Sequence, residues 1–205
     1  MKTALMIIVA YLLGSIPSGL WVGKIMYGKD ISKMGSGNIG TTNAFRELGP
    51  KAGTIVLITD ILKGTLAASQ PYFLHSSINP LLIGIFASLG HSFSLFDHFH
   101  GGKAVATSAG ILLAYKPGLF LVASAIFITV LLLTSMASAA SMIGITSVLI
   151  IALFEHDVIL SVIAGLLTAF VIWRHRSNID RIVHGRESLV HFGLGYYLKN
   201  RNQHQ

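Results

Sequence analysis

The residues best equipped for chemistry in this chain fall in one short stretch, Gly35 to Arg46, which reads GSGNIGTTNAFR. It contains three glycines, two asparagines, a serine, two threonines and one arginine, with little that builds a core. Glycine lets backbone N–H groups approach a ligand closely, while amides and a guanidinium supply directed donors. That combination suits an anionic ligand carrying phosphate. Gly35, Ser36, Gly37, Asn38, Asn43 and Arg46 are therefore candidate substrate-binding or catalytic residues.

Two further polar segments extend the case. His91 to Thr107 carries Gly101-Gly102-Lys103 just before an apolar helix. Backbone N–H groups at a helix start, with a lysine beside them, attract anions. The triplet lacks the spacing of a nucleotide-binding loop, and on these residues alone a glycine-permitted turn reads equally well. His175 to Glu187 offers His175, Arg176, Asn178, Arg181 and Glu187, a set that also suits a segment facing lipid headgroups. Inside an apolar stretch, Asp60 and Lys63 stand at helical i,i+3 spacing and are expected to pair. Each charge at the bilayer centre would cost ~2.5–3.5 kcal/mol, which places the pair near a membrane surface or in a polar cavity. A structural ion pair and a catalytic pair both fit that spacing. Metal chemistry has less support. His91, His98 and His100 lie within ten residues, but no carboxylate cluster accompanies them, and no metal is expected. His75, His156, His184, His191 and His204 receive no functional role. The chain has no cysteine, which removes thiolate nucleophiles, disulfides and zinc–thiolate sites.

The elements that must position these residues are membrane helices. Hydrophobic residues make up 53% of the 205 and charged residues 11%, with a mean hydropathy of +0.69. Such values describe a polytopic integral membrane protein, all-α by class. The net charge of +7 sits in a few polar segments, as positive cytoplasmic loops and anionic headgroups require; no nucleic acid is expected as a partner. Apolar stretches cover 3–23, 54–74, 79–93, 104–115, 119–135, 138–154 and 157–173. The first is expected to bend at Pro17 and to be retained, since it lacks a convincing small-x-small cleavage site. The stretches 79–93 and 104–115 are short, and Lys116-Pro117-Gly118 reads as a turn. The small residues from Ser135 to Gly144 suit close helix packing.

The opening loop, Lys24 to Lys51, and the tail from Arg174 hold most of the basic residues, so both belong in the cytoplasm. Counting 104–115 as a crossing gives about seven transmembrane helices, with the N-terminus outside and the C-terminus cytoplasmic. Lys2 argues mildly for the reverse and is outweighed. This topology makes residues 1–205 a single polytopic membrane domain. It also brings Gly101-Gly102-Lys103 to the same cytoplasmic face as the opening loop. Residues after Tyr197 are expected to fray, with Phe192, Tyr196 and Tyr197 as interfacial anchors.

Taken in order, GSIPSGLWVGK, GSGNIGTTNAFRELGPKAG, the DILKG of Asp60–Gly64, a GH…F…GGK element followed by VAT, and HRSNIDRIVHGRE span almost the whole chain. Together they resemble the membrane glycerol-3-phosphate acyltransferase family that uses acyl phosphate, the PlsY family. The second motif departs from the family pattern. Ser94 stands where proline is usual, His100 where lysine is usual, and Ala104 where a third glycine is usual. His91 and Asp97 are separated by five residues, so the His-four-Asp motif of many glycerolipid acyltransferases is absent.

The resemblance implies transfer of a fatty acyl group from acyl phosphate to the 1-hydroxyl of glycerol 3-phosphate, giving lysophosphatidic acid and phosphate. It assigns activity to Ser36 and Arg46 and the acceptor's phosphate to Gly101, Gly102 and Lys103. Contributions to activity fall to His175 and Asn178, and a structural role to Glu187. It implies a bacterial cytoplasmic membrane location, no cofactor, and a peripheral enzyme that makes acyl phosphate as a partner. The chemistry agrees. An acyl phosphate is an activated mixed anhydride, so no covalent protein nucleophile is required. The demand is electrostatic: two anionic phosphates must be brought together and charge on the carbonyl stabilised. Substrate phosphate is the family's base, and His175 is the protein's own candidate. A transporter of a small phosphorylated metabolite is the alternative, since broken helices and Asp60-Lys63 would serve one. No internal repeat is visible, and the three polar elements share one face, whereas transport needs access from both.

Overall fold

The computed structural model describes residues 1–203, and the chain divides into two compact units, Met1–Pro117 and Gly118–Gln205. All regular structure among the described residues is helical, apart from an isolated bridge between Ser94 and His100. The first unit contains α1 (Lys2–Ser15), α2 (Ser18–Tyr27), α3 (Thr41–Leu48), α4 (Pro50–Phe73), α5 (Pro80–Ser92) and α6 (Val105–Tyr115). The second is built from α7 (Pro117–Thr134), α8 (Ala137–Phe154), α9 (Val158–Arg174), α10 (Arg176–Val183) and α11 (Leu194–Gln203).

Helices α4, α7 and α8 are each long and apolar enough to cross a membrane; counting the bent pairs α1–α2 and α9–α10 as spans makes five. The α1–α2 bend is 42° and falls at Pro17, which has no N–H to continue the ladder. At 13 and 11 residues, α5 and α6 rise only about 16–20 Å, short of a hydrocarbon core of roughly 30 Å.

Close backbone approach holds the first unit together. A Cβ on Gly14 would run into the Ala87 carbonyl, so α1 and α5 meet at a glycine, and Gly64 likewise receives the Thr107 carbonyl of α6 against α4. Met6, Ala10, Ala67, Ile83 and Ala87 fill the space between α1, α4 and α5. In the second unit Ser138, Ala140, Ser141 and Gly144 form the buried stripe of α8, as the small-residue run predicts. Leu121, Ile128, Leu133, Leu153 and Val162 point outward, a surface suited to lipid.

Two local expectations are corrected. Pro117 does not sit in a turn but opens α7, where its missing N–H is no loss; Lys116 alone forms the link. The segment after Tyr197 continues as α11 to Gln203. It is anchored at its start, where the Tyr196 N–H donates to Ser135 Oγ at 2.9 Å and the Val190 N–H to the Ser135 carbonyl at 2.8 Å. Tyr197 and Phe192 are exposed, as interfacial anchors would be, and His204 lies outside the described residues.

The tight α4–α6 contact is testable. Gly64→Val is expected to lower stability by about 1–3 kcal/mol through overpacking. Gly118→Ala, where an added Cβ meets nothing within 4 Å, should leave the thermal unfolding temperature in detergent unchanged.

Candidate functional site

The opening loop is folded around one buried amide. Asn43, on α3, donates from Nδ2 to the carbonyls of Ile31 (3.3 Å) and Met34 (3.0 Å), and its Oδ1 accepts the Ser36 N–H at 3.1 Å. Gly35 and Gly37 take positive φ values of 55° and 70°, so the chain reverses around this amide and leaves Ser36 exposed. Asn38 Oδ1 accepts the Gly40 N–H at 2.9 Å, completing the entry into α3. Arg46 follows Asn43 by three positions on α3, on a neighbouring part of its surface. Upstream, the Ser32 hydroxyl bonded to Asp30 holds that carboxyl below its ordinary range. Sequence reasoning counted Asn43 among the ligand contacts. The structure commits its side chain to three backbone partners that set the loop's shape.

A second set of residues gathers where the α1–α2 break meets α4 and α5. Asp60 and Lys63, 1% and 3% exposed, pair at 2.8 Å, as their spacing predicts. Ser18 Oγ donates to Asp60 Oδ1 at 2.7 Å, and Lys63 Nζ donates to the Ile16 carbonyl at 2.9 Å. The buried lysine thus satisfies an acceptor at the proline break. His91 Nδ1 lies 3.6 Å from the same Asp60 oxygen. On its other side, the His91 carbonyl accepts the Gly102 N–H at 3.1 Å. A Cβ on Gly102 would strike His91 Nε2. The sequence signalled Asp60 and Lys63 by charge in an apolar run. It gave no cue to Ser18 and assigned no site role to His91.

Gly101-Gly102-Lys103 therefore rests on the end of α5 and leads through Ala104 into α6. The departures of this motif are absorbed without loss of shape. Ser94 has φ −66°, a value proline shares; its N–H donates to the His100 carbonyl at 3.3 Å and its Oγ to the Ser15 carbonyl. Ala104 sits at φ 58°, ψ 13°, the left-handed region that glycine enters freely. Loops one and two are linked through the start of α2: Gly19 receives the Ile39 carbonyl, and Ser18 holds Asp60.

The second unit carries its own polar centre. Glu187, 6% exposed, accepts Ser138 Oγ and Asn178 Nδ2 on Oε1, both at 2.7 Å, and Arg181 Nε on Oε2 at 2.8 Å. Burial pushes its carboxyl upward, but the bonds from Asn178, Ser138 and Arg181 outweigh that and hold it below its ordinary value of 4.5. His175, at the 60° bend between α9 and α10, sets Nδ1 at 2.8 Å from the Val171 carbonyl. A carbonyl only accepts, so Nδ1 carries the proton and Nε2 is the basic nitrogen of the neutral ring. Ser138 was not legible as part of this centre, because a serine in a small-residue helix stripe reads as packing. No three His, Cys, Asp or Glu side chains gather as a metal site would need among the described residues.

A family model described as glycerol-3-phosphate acyltransferase matches residues 4–185. A protein of that name from Limosilactobacillus reuteri is 70% identical over 202 residues, covering 98% of this chain and 97% of its own. Another of the same name, from Lactiplantibacillus plantarum, is 56% identical over 204 residues and covers 98% of each chain. The crystal structure of PlsY, an integral membrane glycerol 3-phosphate acyltransferase, in its glycerol 3-phosphate form is 33% identical with a TM-score of 0.88. That match covers 93% of this chain and 96% of PlsY. The lysophosphatidic acid form gives a TM-score of 0.82 at 32% identity, covering 92% and 95%.

Two stability experiments follow from the geometry. Ala104→Val should destabilise the protein by about 1–2 kcal/mol, since a β-branched residue is disfavoured at positive φ. Ala104→Gly should be close to neutral, because relief of the left-handed strain offsets the loss of a buried methyl; both are read by thermal unfolding. Glu187→Gln should cost about 1.5–3 kcal/mol near neutral pH, the scale of a hydrogen bond to a charged group. A depressed carboxyl contributes fully above its unfolded value and loses that contribution as pH falls through its folded value. The gap in unfolding temperature between wild type and Glu187→Gln should therefore narrow as the buffer is taken well below pH 4.5.

Proposed function

This chain belongs to the glycerol-3-phosphate acyltransferase family, and from that premise we propose that it acylates the 1-hydroxyl of glycerol 3-phosphate with acyl phosphate as the donor. The 1-hydroxyl oxygen attacks the acyl carbonyl carbon, and the bond from that carbon to the phosphate oxygen breaks. The hydroxyl proton goes to a phosphate oxygen or to a protein base, and inorganic phosphate leaves. The products are lysophosphatidic acid and phosphate, which makes this the first acylation of phospholipid synthesis.

The observation that carries the reading is the Gly101-Gly102-Lys103 loop feeding the N-terminus of α6. The Gly102 N–H is bonded to the His91 carbonyl, so the groups there that suit the acceptor's phosphate are Lys103 and the N–H groups at the start of α6. In the opening loop, Ser36 and Arg46 are the catalytic candidates. Gly35, Gly37 and Asn38 shape the backbone that approaches the substrate, and Asn43 holds that shape from beneath. Lys103 and Arg46 offset charge on the phosphates and on the carbonyl oxygen. In the second unit, His175 offers a basic Nε2, and Glu187 fixes the Asn178 amide. The donor is already activated, so positioning and charge supply the rate, and effective molarity alone is worth ~7–11 kcal/mol of barrier.

The topology that accompanies this reading has seven crossings, with the N-terminus outside and the C-terminus in the cytoplasm. That count adds the short helices α5 and α6 to the five spans that length and composition support. The site loops then face the cytoplasm of a bacterial cell, where a peripheral enzyme making acyl phosphate has access.

Purified protein supplied with acyl phosphate and labelled glycerol 3-phosphate should form lysophosphatidic acid. Ser36→Ala and Arg46→Ala should each lose roughly 10²–10³-fold in kcat, the scale set by removing one preorganised charge-stabilising group. Acyl-CoA and the acyl thioester of acyl carrier protein, each offered in place of acyl phosphate, should give no product. Turnover with either thioester alone would overturn the donor assignment, and wild-type rates in both variants would overturn the site.

A further inference from the structure

The buried cluster around Asp60 includes none of the reacting groups named above, yet it touches the loop read as receiving the acceptor. We propose that His91, keyed by Asp60, is a positioning residue that sets the Gly101-Gly102-Lys103 loop in its phosphate-receiving shape. The proposal rests on the reading of that loop as the holder of the acceptor's phosphate.

Four observations converge on it. The imidazole is buried in the last turn of α5, where a partly polar ring needs a reason to be. Its Nδ1 edge faces the Asp60 oxygen that also takes Ser18 and Lys63. Its Nε2 edge lies directly beneath Gly102, so close that any side chain at position 102 would collide with the ring. The His91 backbone carbonyl anchors the Gly102 N–H at 3.1 Å. One residue thus fixes the loop twice, through its carbonyl and through its ring, and Asp60 sets which way the ring stands.

The arrangement gives the loop a rigid floor built from three helices. Ser18 belongs to α2, Asp60 and Lys63 to α4, and His91 to α5. With the Gly102 N–H bonded to His91, phosphate would meet Lys103 and the N–H groups entering α6, and these converge only while the loop leading to them is held on its floor. The glycine at position 102 is there because the ring occupies the space a Cβ would need. Removing the ring opens that space and lets the loop relax, while the opening loop with Ser36 and Arg46 is held by its own Asn43 scaffold.

This role has a kinetic signature that a general folding defect lacks. Loss of a positioning contact for one substrate raises the KM for that substrate with kcat preserved at saturation. In nanodiscs, His91→Gln should raise KM for glycerol 3-phosphate roughly tenfold, with kcat and KM for acyl phosphate within about twofold of wild type. Asp60→Asn combined with Lys63→Gln removes the key without leaving a lone buried charge, and should raise the same KM. Adding His91→Gln to that pair should raise it no further, because residues acting through one another are non-additive. A folded His91→Gln protein with wild-type KM for glycerol 3-phosphate would overturn the proposal. So would equal losses in kcat and in both KM values, or fully additive effects in the triple variant. If neither His91→Gln nor the Asp60–Lys63 pair variant folds, judged by thermal unfolding, the cluster serves folding alone and the proposal fails. Lys103→Ala separates the two levels. An unchanged KM there defeats the phosphate-loop reading itself, while a raised KM beside a silent His91→Gln defeats only the positioning role.

Discussion

A carboxylate buried among membrane helices has to be neutralised and hydrogen-bonded where it stands, and in this protein Asp60 meets that demand by collecting its partners from separate helices. Lys63 comes from its own helix, Ser18 from the segment after the Pro17 break, and His91 from the end of α5. Lys63 reaches on to the Ile16 carbonyl, which the break leaves without a full helical ladder. Removing one partner from such a buried pair costs ~3–5 kcal/mol, because the other charge is then stranded. The helices cannot shift relative to one another without breaking this set, and both glycine loops of the first unit attach to it. The Ile39 carbonyl packs on Gly19 beside Ser18, and Gly102 rests on His91.

Small residues do the rest of the positioning. Between apolar helices in lipid there is no water to squeeze out, so close van der Waals contact and hydrogen bonds carry the packing. Gly14 against Ala87 and Gly64 against Thr107 bring backbones within touching distance, which places the ends of α1, α5 and α6 at definite heights. The loops that grow from those ends inherit that precision. A site made of backbone N–H groups depends on it more than one made of long side chains, since backbone has no rotamers with which to compensate.

The second motif shows how far residue identity can drift while backbone shape persists. Ser94 keeps a φ that proline would impose and adds two hydrogen bonds that proline could donate neither of. Ala104 keeps a left-handed conformation that glycine would adopt at no cost. What the motif specifies is a path for the chain. The glycines at 101 and 102 match the pattern, and their Cβ positions are already filled by the His91 carbonyl and ring.

Much of this protein was legible without coordinates. Apolar runs of sufficient length gave the helices, because lipid leaves the backbone no other way to satisfy its polar groups. The i,i+3 spacing of Asp60 and Lys63 gave their ion pair, while the glycine-rich loops, Arg46 and Lys103 stood out as candidates to hold an anion. Other features were settled by contacts distant in sequence. Asn43 became the scaffold of its loop, Ser138 a partner of Glu187, and His91 the floor under Gly102. Pro117 opened a helix and the tail beyond Tyr197 stayed helical because Ser135 anchors the start of that last helix. Local pattern reports what a residue offers, whereas its role depends on which partner the fold brings within about 3 Å, the range of a hydrogen bond.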